Sequence, residues 1–334
     1  MRKSAVVIGF GAFFLTMALM LKFYAYDKLA VIPKDINTSQ SLTDPKAYFF
    51  DADTLKYRTA PMTTRLTVAV DKEESKRVGG NAIVLDKWQY SDNNGKPPPM
   101  DASTAHYAVD RHTGLPVRIP DENANGKPVQ TQGYTIKFPF DLVKGRSYPY
   151  WDGTLGKAIG MKYVGTESIE GMQTYKYVVD IPPTVYTKFE VPGFLFGLGQ
   201  DSPAQNADRA YANQRTVWAD PQTGVFMKVE ERQTQTVSIP GHDPVPLVRT
   251  ATIMDDATVK ANVDEYKTKA MQLKALKIAP WVLGILGVLL LIGGAALAVL
   301  LGRRPGSASG TGRMNGPDDE ESATQPDDEF ADRT

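Results

Sequence analysis

The chain has 334 residues, 38 basic against 38 acidic side chains, and hydrophobic residues at 42%. A balanced charge without a basic cluster gives no electrostatic reason to expect nucleic acid, because phosphate binding needs a concentrated positive surface. A cysteine count of zero excludes disulfides, thiolate metal sites, a cysteine nucleophile and a cysteine-linked lipid anchor together.

The first element is SAVVIGFGAFFLTMALML, Ser4 to Leu21, behind Arg2 and Lys3. A basic start before an apolar run is the pattern of a secretion signal. The residues that follow, KFYAYDKLA, are bulky and offer no small-x-small cleavage site. Residues 1–26 therefore read as an uncleaved signal-anchor transmembrane helix. YDKLAVIPKDINTSQSLTDPKAYFFDADTL reads as a linker into a central domain, residues 27–256.

Within that domain, Thr63 to Glu73 and Asn81 to Asp92 alternate and are β-branched, which is a strand signal. Polar loops follow at Asn93 to Asp101 and Asp121 to Gly133. An aromatic stretch, KFPFDLVKGRSYPYWDG, runs from Lys137 to Gly153. Met161 to Pro182 reads as two strands joined at Glu167 to Gly171, and Arg215 to Pro240 as the longest strand pair. Short strands and tight polar turns predict a mainly β domain, an extracytoplasmic antiparallel sheet.

The period changes at Asp255. Val259, Val263, Tyr266, Ala270 and Leu273 recur at helical spacing, predicting a stalk helix over 257–277. Ile278 to Gly302 is uncharged and long enough to cross a hydrocarbon core of ~30 Å as a helix. Pro280 leaves that helix either continuous or kinked. Residues 303–334 are rich in acidic runs and read as a disordered cytoplasmic tail. Arg2, Lys3, Arg303 and Arg304 favour a two-pass protein of the bacterial plasma membrane, both termini cytoplasmic and the central domain outside. Ala5 and Gly9, with Gly294 and Ala298, offer small residues where the spans could approach.

One motif occurs twice, as Asp110, Thr113 and Gly114, then as Asp220, Thr223 and Gly224. Two carboxylates could serve acid–base work or a metal. The same residues suit a hairpin: Asp accepts backbone N–H bonds at a turn, and Gly takes the left-handed position. The x positions differ, Arg-His against Pro-Gln, and strand-like runs flank both copies, so the turn is the reading taken. His106, His112 and His242 show no metal-ligand spacing. Gly193, Gly197 and Gly199 do not form a phosphate loop, and Glu230 and Glu231 fall on opposite faces of one strand. No catalytic residue, metal or cofactor is expected, and the protein does not read as an enzyme.

Phe138, Phe140, Tyr148, Tyr150 and Trp151 either line an apolar cavity or pack the core. Phe194 and Phe196, in VPGFLFGLG, are candidates to line the same apolar cavity, and their segment also suits a buried strand end, a lid or a loop that dips into lipid.

The stretches FPFDLVKGRSYPYWD, YVGTESIEGMQTYKYVVDIP and VWADPQTGVFMKVEE, between an anchor and a terminal span, resemble an actinobacterial family of two-pass envelope proteins labelled "porin PorA family". The resemblance covers nearly the whole chain apart from the tail and supplies no active-site residues. Porin activity is not expected, because a membrane barrel needs uninterrupted lipid-facing alternation. The hairpins and Y-x-G-x-E-x-x-x-G are also similar to pieces of LolA- and LppX-like lipid carriers, which implies a curved sheet around a hydrophobic ligand. The expected function is therefore binding of a membrane lipid or other apolar envelope molecule. The alternative is a non-enzymatic scaffold or sensor that contacts envelope proteins.

Overall fold

The computed structural model describes residues 2–93, 95 and 99–302; the expected acidic tail and the Arg303–Arg304 flank lie outside the described residues. Helix α1 (Arg2–Met20) continues through a π-helical turn (Leu21–Ala25) into α2 (Tyr26–Leu29). Strands β1 (Asn37–Asp51) and β2 (Lys56–Asp71) precede α3 (Lys72–Val78), β3 (Ala82–Asp92) and β4 (Asp101–Asp110). Three short strands follow: β5 (Pro116–Val117), β6 (Asn123–Ala124) and β7 (Lys127–Pro128). The long ones come next: β8 (Tyr148–Asp152), β9 (Lys157–Ile169), β10 (Met172–Val191), β11 (Gln205–Ala219), β12 (Phe226–Ser238) and β13 (Val245–Met254). A 3-10 turn (Gly193–Phe196) links β10 to β11, and α4 (Asp256–Gly302) ends the described chain.

These strands form one mostly antiparallel, open and curved sheet of 13 strands, in the order β7-β6-β4-β3-β2-β1-β13-β12-β11-β10-β9-β8 with β5 beside β4. Among the described residues the end strands β7 and β8 do not pair with each other, so the sheet is a trough rather than a barrel. Its hand-over point is β1, which joins the N-terminal meander to β13. That strand corrects the linker expected before Thr63. Its sequence, NTSQSLTDPKAYFFD, hides a strand because Pro45 sits in a bulge between Asp44 and Ala47, where no ladder donor is needed. The bulge is fixed by Asp44, whose buried carboxylate accepts from Thr250 Oγ1 at 2.9 Å and Ala251 N at 2.7 Å. Helix α3 also lay outside the sequence reading. Asp71 caps it by accepting from Glu74 N at 2.8 Å, and Gly79 ends it at φ 72°.

Three apolar clusters hold the trough's shape. Phe138 is fully buried, its ring 4.9 Å from those of Tyr177 and Phe226 and 5.2 Å from that of Tyr148. It belongs to the β8–β12 half. Ile136 and Phe140 instead pack on Leu85, Tyr107 and Val109 of the β3–β4 half. The segment carrying these alternating side chains thus stitches the two walls together at one mouth. A third cluster, with Val191, Phe196, Val237 and Leu247, sits at the opposite end of β10.

Helix α4 is continuous through Pro280 over 47 residues. Val263 and Ala270 seat its first half on Met172 and Met227, and Val259 packs on Leu42 and Met254. Its second half pairs antiparallel with α1. A Cβ on Gly11 would lie 2.9 Å from the Gly287 carbonyl oxygen, and one on Gly287 would lie 2.9 Å from that of Gly11. The helices therefore cross on these two glycines, with Gly294 against Ile8. Of the residues expected at this contact only Gly294 is there. Ala5, Gly9 and Ala298 face outward, because the contact follows a heptad through Ser4, Gly11 and Ala18. Only 17% and 11% of the two apolar windows are buried, which is not how a soluble core helix packs.

Candidate functional site

The two Asp-x-x-Thr-Gly copies are the same turn. Asp110 Oδ1 accepts from Thr113 N at 2.7 Å and Thr113 Oγ1 at 3.0 Å. Asp220 Oδ2 accepts from Thr223 N at 2.7 Å and Thr223 Oγ1 at 2.6 Å. Gly114 and Gly224 both have φ 73° and donate their N–H to the aspartate carbonyl at 2.8 Å. Each carboxylate is engaged inside its own turn.

A set of polar side chains meets on the concave face. Arg215 of β11 stands opposite Glu231 of β12, and their side chains pair at 2.5 Å, each 18% exposed. The guanidinium also covers the Tyr150 ring at 4.7 Å from its centroid. One step along β11, Asn213 Nδ2 donates to Tyr211 Oη at 2.8 Å, which donates to Asp152 Oδ2 at 3.2 Å. From the facing wall comes Lys87 of β3. Its amine is pushed down to about 8, first by burial and then by Arg215, against the opposing pull of Glu231 and Asp152. Burial alone disfavours the charge of Arg215, yet Glu231 and the neighbouring Tyr150, Tyr211 and Asp152 raise its affinity for the proton. The result is a polar belt around the waist of the trough, between the aromatic mouth and the distal apolar cluster. The space beside it, about 190 Å³ lined by Tyr150, Asp152, Asn213, Arg215, Ile159, Val179 and Ile181, is too divided to admit a water-sized sphere. Two buried atoms in the belt, Asn213 Oδ1 and Arg215 Nε, have no hydrogen-bond partner among the described residues.

Another buried lysine lies at the aromatic mouth. Lys137 is 5% exposed, its Nζ has no acceptor among the described residues, and it stands 3.7 Å from the Phe140 ring centroid. Burial pushes its amine down to about 7, and Asp220 only partly opposes that.

The aromatic residues singled out in the sequence are not gathered on one cavity. Phe138 and Tyr148 are buried in one cluster with Tyr150 at its edge, Phe140 joins the opposite wall, and Phe196 belongs to the distal cluster. Phe194 packs beside Phe50 at 6.3 Å between centroids, and Trp151 is half-buried, its backbone N–H bonded to the Tyr134 carbonyl. Among the described residues no three His, Asp or Glu side chains converge as metal ligands. His106 bonds Asp86 at 2.7 Å, His112 donates its backbone N–H to Asp110, and His242 stands beside Phe196. Glu230 pairs with Lys228, on the face opposite Glu231.

The architecture defines a class: an open, curved β-sheet joined to two apolar terminal helices, which fits an envelope protein with two membrane passes. The family model described as Porin PorA matches residues 3–296, and the chain belongs to that family. A protein of Corynebacterium amycolatum named Porin PorA is 26% identical over 234 residues, 57% of this chain and 60% of its own length. Another Porin PorA, from Corynebacterium resistens, is 24% identical over 399 residues, covering 89% of this chain and 96% of its own. The chain thus spans less than two thirds of the first relative and nearly all of the second. The relatives' name runs against the sequence expectation that porin activity is absent.

Proposed function

We propose that this two-span envelope protein holds its curved sheet outside the bacterial plasma membrane, with both termini inside, and binds the polar part of an envelope molecule on the belt. One observation carries the reading: Arg215 Nε and Asn213 Oδ1 are buried without partners. An unmet buried polar group costs about 1–3 kcal/mol, so a ligand that completes both is favoured once the belt parts to admit it, since at rest the space there does not take a water-sized sphere. Two cations, two carboxylates, an amide and two phenols suit a hydroxyl-rich or zwitterionic group better than an acyl chain. The aromatic side chains that would have greeted an apolar ligand are largely engaged with one another. If the ligand is a lipid, the belt takes its headgroup. The protein acts by binding and not by catalysis.

The test is native mass spectrometry of the full chain, purified in mild detergent and then extracted with solvent. A polar or amphipathic molecule at one per chain is expected, and chain that is folded and empty contradicts the reading.

A second reading takes the relatives' printed name at its word and makes the polar concave face a permeation path. Its polarity favours this, while the end strands β7 and β8 do not pair with each other among the described residues and leave the sheet unclosed. Reconstitution of the full chain in planar bilayers decides. Conductance steps whose ion selectivity changes in Arg215→Glu support a path, and a silent bilayer removes it.

A further inference from the structure

The loop that enters the trough also touches both membrane helices. Asp141 accepts from Tyr26 Oη on one carboxylate oxygen and from Lys277 Nζ at 2.8 Å on the other. Lys277 is the last charge before the apolar run of α4, and one turn on, Lys22 of the other span lies 5.0 Å from the Trp281 ring centroid. Asp141 therefore sits at the level where both spans leave the membrane, and it does so at φ 57°, a backbone conformation that non-glycine residues seldom hold. The turn that follows is fixed: Val143 N–H donates to Tyr148 Oη at 2.9 Å, and Arg146 N–H donates to the Val143 carbonyl at 3.1 Å. It leaves Val143 55% exposed at the head of the turn, with Lys144 and Arg146 following it, both also exposed. The first hairpin reaches the same level. Its Arg111 exchanges hydrogen bonds with Ile32, three residues past α2, through Nε at 2.7 Å and through its carbonyl at 2.8 Å. Leu115, at the tip of that hairpin, is 40% exposed.

We propose that this base of the domain is a docking surface for anionic lipid headgroups, with Val143 seated in the interface and Lys144 and Arg146 on the phosphates. Apolar tips flanked by cations are what an anionic interface rewards: the side chain leaves water while the charges meet the negative surface potential. The occupant is fixed by continuity, because the spans that anchor Asp141 carry the bilayer to the same level. The inference stands whether or not the belt binds a ligand.

The chain has no cysteine, so a single label reports cleanly. Val143→Cys carries an environment-sensitive fluorophore in the full chain, reconstituted in discs of phosphatidylcholine with or without phosphatidylglycerol. Asp53→Cys, in the exposed β1–β2 turn at the other end of the domain, is the control. The expected result is blue-shifted emission at position 143 that headgroup-labelled quencher lipids suppress at least twofold more than at position 53. Equal emission and equal quenching at both positions overturn the proposal. Lys144→Glu with Arg146→Glu then separates charge from proximity. Phosphatidylglycerol co-purifying with the chain should fall severalfold, and unchanged recovery overturns the headgroup contact.

Discussion

The two Asp-x-x-Thr-Gly hairpins have the same hydrogen bonds and opposite electrostatics. Asp110 is partly exposed, and although burial raises its affinity for the proton, the bonds from Thr113 and His112 outweigh that and hold its carboxyl below the ordinary value. Asp220 is 2% exposed, and burial pushes its carboxyl up in spite of matching bonds from Thr223. Neighbours account for the difference. A Cβ on Gly114 would make ordinary contacts with the Tyr134 ring at 3.7 Å and the Ile32 side chain at 4.0 Å, whereas one on Gly224 would collide with the carbonyls of Phe138 and Pro139. The second hairpin is the dock for the loop that closes the trough, through Phe138 N to the Gly224 carbonyl at 2.9 Å and Asp141 N to the Gln222 carbonyl at 3.0 Å. A local motif specifies a turn, and the packing around it decides how much of the fold depends on it.

Gly224→Ala should break this comparison most severely. It adds a backbone collision to left-handed strain, about 3 kcal/mol or more, while Gly114→Ala should cost about 1 kcal/mol. Circular-dichroism melting of the detergent-solubilised full chain checks both, and equal losses would refute the asymmetry. Next in size is the aspartate itself. Asp220→Ala strands the buried Thr223 N–H and hydroxyl, at about 2–3 kcal/mol, against about 1 kcal/mol for Asp110→Ala, where water replaces the acceptor.

Lys137→Met should raise the melting temperature, since it removes a buried amine that has no acceptor. Its pH dependence fixes the sign. The folded state releases the Lys137 proton at about 7 and the unfolded chain at 10.5, so stability rises with pH from about 7 upward. The variant should flatten that rise, leaving the part due to Lys87. Tyr107, Tyr177 and Tyr211, whose phenols burial raises, act oppositely at higher pH, so the useful window ends near about pH 9.

The smallest effect separates the two carboxyls. The contribution of Asp110 is fully present above its unfolded value of 3.8 and is lost as pH falls through its lower folded value. That of Asp220 is present in acid and lost as pH rises through its raised folded value. Melting curves between pH 2 and 7 on Asp110→Asn and Asp220→Asn should therefore change slope in opposite directions, the first below about pH 4 and the second above it.

Much of the fold was legible because it is periodic: the apolar spans, the stalk helix from Val259 to Leu273, and the strands around both hairpins. β1 was not, because its bulge at Pro45 breaks the alternation and its polar partners lie more than 200 residues away at Thr250. The belt was hidden for a related reason. Continuing the ladder outward from Ala219 opposite Phe226 would set Arg215 against Glu230, and Glu231 would face away. A register shift between Trp218 and Ala219, taken up at Met227, moves the pairing by one and puts Glu231 against Arg215 on the inside. Lys87 joins them only because the sheet curls, which no local pattern encodes. The aromatic stretch was visible as composition, but its division between two walls depends on a loop path that turn chemistry alone does not set.

On the proposed reading the repeated motif serves the fold and the binding chemistry sits on the belt. The direct test compares two full-chain variants in one experiment: Asp110→Ala, and Arg215→Gln with Glu231→Gln, the pair neutralised together so that no buried charge is stranded. Each is purified alike, its folded fraction is measured by circular dichroism, and its co-purified molecule is counted by native mass spectrometry. Asp110→Ala is expected to melt lower and keep the wild-type amount per folded chain, while the double variant is expected to fold and lose it. Loss from Asp110→Ala with full retention in the double variant would contradict that reading.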